Sequence, residues 1–118
     1  MKFYICNAFS LSMLDRVQQS GRDAMDGVRV PKPLGDESLN EWLNLFLNGK
    51  VEYESAVGHG STANLFSNQL GIPVPMNRVS VKLDHPDLHA IIGQYSGPRL
   101  EEGATELPEG ARIEWWII

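Results

Sequence analysis

The stretch "KFYICNAF" (residues 2–9) constrains the architecture more than any other part of the chain. Its aromatic and β-branched residues favour extended backbone. Along a strand, Phe3 and Ile5 project to one side and Tyr4, Cys6 and Ala8 to the other. An extended segment that is apolar on both faces is stable only where both are covered, which places it in the middle of a packed sheet. Cys6, the single cysteine, has no intramolecular partner for a disulfide. In this strand an inert buried thiol is expected rather than a nucleophile.

Helices have to supply the cover. "DESLNEWLNLFLNG" carries Leu39, Trp42, Leu43, Phe46 and Leu47 at i, i+3, i+4, i+7 and i+8, an apolar stripe along one helical face. Asp36 is a candidate for its start and Asn48-Gly49 for its end. "STANLFSNQLG" predicts a second helix that stops at Gly71. Before the first helix, "SLSML" fits a short helical turn, "QQSGRDAMDG" a loop, and "VRVPKP" a brief extended piece ended by prolines.

Further strands are expected at "KVEYESAV" (50–57), at "NRVSVKL" (77–83) with Val79, Val81 and Leu83 inward, at "LHAIIGQY" (88–95), and at the terminal "ARIEWWII". The last offers Ile113, Trp115 and Ile117 on one face and Trp116 and Ile118 on the other, too much apolar surface for an open edge. It belongs in the core or in a dimer interface. These elements make a single α/β domain over residues 1–118, a mixed sheet of about five strands with helices packed on it.

Composition narrows the function. At 118 residues and 42% hydrophobic the chain can bury one core, with no apolar run near the ~20 residues that cross a bilayer. "MKFYICNAF" has no long apolar segment or small-residue cleavage site, so a cytoplasmic protein without membrane attachment is expected. A net charge of −5 is poorly suited to long nucleic acid, whose binding depends on neutralising many phosphates. It leaves room for a small phosphate ligand held by a few placed arginines. His59, His85 and His89 show no zinc-ligand spacing with Cys6, and Pro86 separates the last two, so neither metal nor cofactor is expected.

Chemistry concentrates in "AVGHGSTANL" (56–65), where a strand runs through Gly58-His59-Gly60 into a helix. Glycines permit unusual dihedrals and close ligand approach, Ser61 or Thr62 suits the helix cap, and a helix N-terminus offers unpaired N–H groups to an anion. The helix dipole disfavours an imidazolium there and a bound phosphate favours it, so His59 is placed to exchange a proton. The same residues also read as an ordinary turn and cap. In "GQYSGPRLEEG" (93–103), Arg99 and Glu102 read equally as a surface ion pair or as part of a site. A histidine, an arginine and a carboxylate suffice for metal-free cleavage of an RNA phosphodiester by its own 2′-OH.

"NAFSLSML", "VGHGSTANL", "NRVSVKL" and "RLEEG", in that order, resemble the viral anti-CRISPR ring nucleases that counter type III CRISPR immunity, and their bacterial ring nuclease relatives. The resemblance implies a homodimer that binds cyclic tetra-adenylate. It further implies cleavage without metal to linear adenylates ending in 2′,3′-cyclic phosphate. Carried onto matching positions, His59, Arg99 and Glu102 are catalytic, and Asn7, Ser10, Gly60, Ser61, Thr62, Arg78 and Gln94 line the ligand. The chain departs from the family pattern at Ser12, where relatives often carry asparagine, and at "SGP" before Arg99. Residues 15–34 are longer and 104–112 shorter than in relatives. The alternatives are a protein that sequesters a cyclic nucleotide without cutting it, and an interaction protein whose histidine motif is only a cap.

Overall fold

The computed structural model describes residues 1–14 and 29–118. The loop expected at "QQSGRDAMDG" and most of the 15–34 segment lie outside the described residues. Five strands form one mixed sheet: β1 (Lys2–Cys6), β2 (Lys32–Pro33), β3 (Glu52–Ala56), β4 (Leu88–Ser96) and β5 (Arg112–Ile117), in the order β2-β5-β4-β1-β3. β1 runs parallel to both neighbours, with Cys6 opposite Ala56 on one side and Ile92 on the other. β5 is antiparallel to β4 and to β2.

The two-sided apolar pattern of the first strand is explained by what covers it. Helices α1 (Asp36–Leu47) and α2 (Gly60–Leu70) send Leu39, Leu43, Phe46, Ala63, Phe66 and Leu70 onto the face that carries Phe3, Ile5 and Ile91. The other face carries Cys6, Ala90 and Ile92 under Leu14, Val81 and Leu83. Trp42 of α1 lies 4.5 Å from the Phe3 ring, between centroids, so it is a core residue. Leu47, the last position of the predicted stripe, is 60% exposed, because the helix ends there and has turned away from the sheet.

Helix boundaries differ from expectation by one residue. Gly35 rather than Asp36 precedes α1, which puts Asp36 and Glu37 in the first turn, where carboxylates complement the dipole. Gly71 ends α2 in the left-handed conformation, as its position after the apolar periodicity suggests. "SLSML" contains a 3-10 turn at Leu11–Met13.

The principal correction concerns "NRVSVKL". It forms no strand and pairs with none among the described residues; Val81 and Leu83 are buried while Val79 is 44% exposed. This segment is the lid over the non-helical face and not a member of the sheet. The fifth strand is instead the two-residue β2 from "VRVPKP", which places β5 between β4 and a short edge blunted by lysine and proline.

Burial of Cys6 in β1 pushes its thiol up to about 12. The native protein is therefore expected to resist iodoacetamide at neutral pH and to label fully in denaturant. Mass spectrometry checks this, and rapid native labelling would contradict the packing of β1.

Candidate functional site

Because β1, β3 and β4 are parallel, their carboxyl ends share one edge of the sheet, where open α/β sheets place their ligands. Beyond Ala56, residues 75–78 are stitched to the end of β3. Met76 bridges Val57, the Asn77 N–H donates to the Val57 carbonyl at 2.8 Å, and Asn77 Nδ2 donates to the Ser55 carbonyl at 2.7 Å. This brings Arg78 back over the glycine loop, where its Nε donates to the Gly58 carbonyl at 2.9 Å. The result is a shallow depression of ≈ 430 Å³ lined by Asn7, Ala56, Gly58, His59, Arg78 and Ser80.

His59 itself occupies the N-cap of α2, correcting the expectation that Ser61 or Thr62 does so. Its backbone carbonyl accepts from Ala63 N–H at 2.9 Å, while its side chain makes no capping bond. The imidazole is exposed and uncommitted among the described residues. Gly60, Ser61 and Thr62 form the first turn, whose N–H groups have no intrahelical acceptor, and no acidic side chain lies there to neutralise the dipole. Neither Gly58 nor Gly60 has a positive φ, so the loop does not depend on glycine dihedrals. A Cβ at 58 would meet Arg78 Cγ at 3.6 Å, an ordinary contact, so space does not demand glycine there either.

Asn7, the first residue past β1, is shared with a second cavity of ≈ 440 Å³, also lined by Phe9, Pro31, Ile92, Gln94 and Trp116. Ser10 caps the 3-10 turn, accepting from Ser12 N–H at 3.3 Å, and its hydroxyl lies 3.0 Å from that of Ser12. Lys82 Nζ donates to the Ser12 carbonyl at 2.7 Å, adding a cation beside this turn.

The structure thus brings His59, Arg78 and Asn7 together and sets Gln94 in the neighbouring cavity that Asn7 also lines, while Arg99 and Glu102 line neither. Both are exposed on the loop that follows β4. They form no ion pair with each other, so the reading as a surface pair fails. The loop leans on α2, where Asn68 Nδ2 donates to the Thr105 carbonyl at 2.6 Å. Residues 104–111 contain no helix.

Sequence reasoning missed Asn77, which positions Arg78, and Trp116, which reads as core in an apolar strand. No signal in the sequence separates a core tryptophan from a cavity-lining one.

These features define a small mixed α/β protein with a depression at the carboxyl edge of its parallel strands that holds His59 and Arg78. A family model described as STIV B116-like matches residues 3–113, and the chain belongs to that family. Among solved structures it is similar to B116 of Sulfolobus turreted icosahedral virus, with a TM-score of 0.71 and 28% identity over 99% of this chain and 97% of that one. No curated protein matches the chain. Among the described residues no helix is long and apolar enough to cross a membrane.

Proposed function

We propose that this protein is a metal-independent ring nuclease that cleaves cyclic tetra-adenylate and so switches off type III CRISPR second-messenger signalling. The observation that carries the proposal is the uncommitted imidazole of His59 at the N-terminus of α2, in one depression with Arg78 and Asn7. A cap needs only the backbone of residue 59, and an anion site needs only N–H groups and a cation. The imidazole is surplus to both roles and suits proton transfer.

In the proposed reaction the ribose 2′-oxygen attacks phosphorus as the P–O5′ bond breaks. The 2′-OH proton passes to Glu102, and His59 protonates the departing 5′-oxygen. Arg78, Arg99 and the first-turn N–H groups of α2 take up the charge that develops on the phosphate oxygens. Ser10, Ser61, Thr62 and Gln94 complete the ligand contacts. The loop bearing Arg99 and Glu102 is assigned to a homodimer, whose two-fold axis matches the symmetry of a four-phosphate ring. The exposed Met76 and Val79 beside the depression fit cover by a second copy.

The purified protein, in excess chelator, is expected to convert cyclic tetra-adenylate to linear products with 2′,3′-cyclic phosphate ends, resolved by chromatography and mass spectrometry. Intact ring co-eluting with the protein after long incubation would replace cleavage with sequestration.

A further inference from the structure

β3 is an end strand of the sheet, and the chain that returns beside it, residues 72–78, does not add to it as a full strand. Only Met76 bridges it, opposite Val57. Pro73 and Pro75 have no N–H to donate to a ladder, and side chains take the ladder's place. The Tyr53 hydroxyl donates to the Pro73 carbonyl at 2.8 Å and the Ser55 hydroxyl to the Pro75 carbonyl at 2.5 Å. From the other side Ser67 of α2 accepts from the Val74 N–H at 2.9 Å. With Asn77 bonded to the Ser55 and Val57 carbonyls, the strap is pinned to β3 at 73, 75 and 77.

Ser55 is the central pin. Among the described residues it is the one polar residue that is buried, at 4% exposure. The row it shares with Val51, Tyr53 and Val57 packs on the helical core, where alanine would fill nearly the same space. Burying a hydroxyl is unfavourable unless it is bonded, and this one is bonded twice, since it also accepts from the Val57 N–H at 3.3 Å. Through its hydroxyl and its carbonyl, residue 55 fixes the strap at Pro75 and at Asn77, three residues and one residue before Arg78. The Arg78 Nε is tethered in turn to the Gly58 carbonyl, and its two Nη groups make no bond among the described residues. A long side chain offers such groups in one place only when its backbone is also held, and ordering it beforehand lowers the cost of binding.

We infer that Ser55 is a positioning residue for Arg78: by holding the strap against β3 it sets the guanidinium over the Gly58 loop before a ligand arrives. This deepens the ring nuclease reading and rests on it for the phosphate that Arg78 meets. The positioning itself requires no ligand.

The test reads Arg78 directly. In the ¹⁵N-labelled protein the Arg78 Nε–H resonance reports its exchange with water. Ser55→Ala is expected to speed that exchange roughly three- to tenfold, the effect of one lost hydrogen bond, while the amides of β1 and β4 keep their protection. Should that variant fail to fold, Asn77→Ala removes the other pin and is read in the same way. Exchange equal to wild type overturns the assignment, and so does equal acceleration throughout β1 and β4, which would make Ser55 a prop of the whole fold. A second arm measures cyclic tetra-adenylate binding in the His59→Ala background, where Ser55→Ala is expected to weaken it roughly three- to tenfold. Once Arg78 is also replaced by alanine, Ser55→Ala is expected to add nothing, and a further loss there would show that Ser55 acts through another group. Faster Arg78 exchange in a protein that neither binds nor cleaves cyclic tetra-adenylate removes the ring nuclease reading and leaves the positioning. Cleavage by a wild type whose Arg78 exchange is indifferent to residue 55 does the reverse.

Discussion

His59→Ala is expected to lower the rate of cyclic tetra-adenylate cleavage by roughly 10²–10⁴-fold, the range over which a positioned general acid acts, while the ring still binds. The separation of the two effects follows from how residue 59 is used. Its carbonyl starts the hydrogen bonding of α2 and its side chain makes no capping bond, so alanine keeps the helix and the first-turn N–H groups that receive phosphate. Arg78 stays anchored on the Gly58 carbonyl, which the substitution does not touch. Single-turnover assays give the rate and calorimetry at low temperature gives the binding. Turnover equal to wild type would show that another group protonates the 5′-oxygen. Loss of binding and turnover together would make His59 a ligand contact and not an acid.

Arg99 and Glu102 require a different reading. Their resemblance to a catalytic motif is in the sequence, yet both are exposed on a loop whose Thr105 carbonyl accepts from Asn68 of α2. Under the proposed homodimer a second copy would complete the site, and nothing in the order of residues encodes what approaches across a symmetry axis.

The fold was legible where a residue's surroundings are implied by its own pattern. Two apolar faces on "KFYICNAF" announce a central strand, and β1 lies between β3 and β4. The terminal "ARIEWWII" is too apolar for an edge, and β5 is flanked on both sides. Alternation alone misled at "NRVSVKL", since a segment lying over a sheet face can bury alternate residues, here Val81 and Leu83, just as a strand does. The difference is made by backbone partners, and here Asn77 spends its N–H and its amide on the end of β3. Two-residue β2 has no periodicity to read; it exists because β5 presents free groups for Lys32 and Pro33 to lie against. At the site, the motif around His59 was legible. Its pairing with Arg78, twenty residues along the chain, depends on that same stitching.

Gly93→Ala is expected to destabilise the protein by about 1–3 kcal/mol, the usual cost of forcing atoms into a filled core. Gly93 lies on β4 directly opposite Trp115 of β5, on the face covered by α2. A Cβ at this position would stand 2.6 Å from Phe66 Cζ and 2.6 Å from Trp115 Cζ3, distances that side chains do not tolerate. Neither ring can yield freely, because Phe66 has no exposed surface and the two aromatic centroids already pack 4.9 Å apart. The glycine therefore seats the contact between α2 and the sheet. Its φ is not positive, so the demand is for space alone. Chemical denaturation with tryptophan fluorescence measures the loss, and a midpoint unchanged from wild type would mean that the rings have somewhere to go.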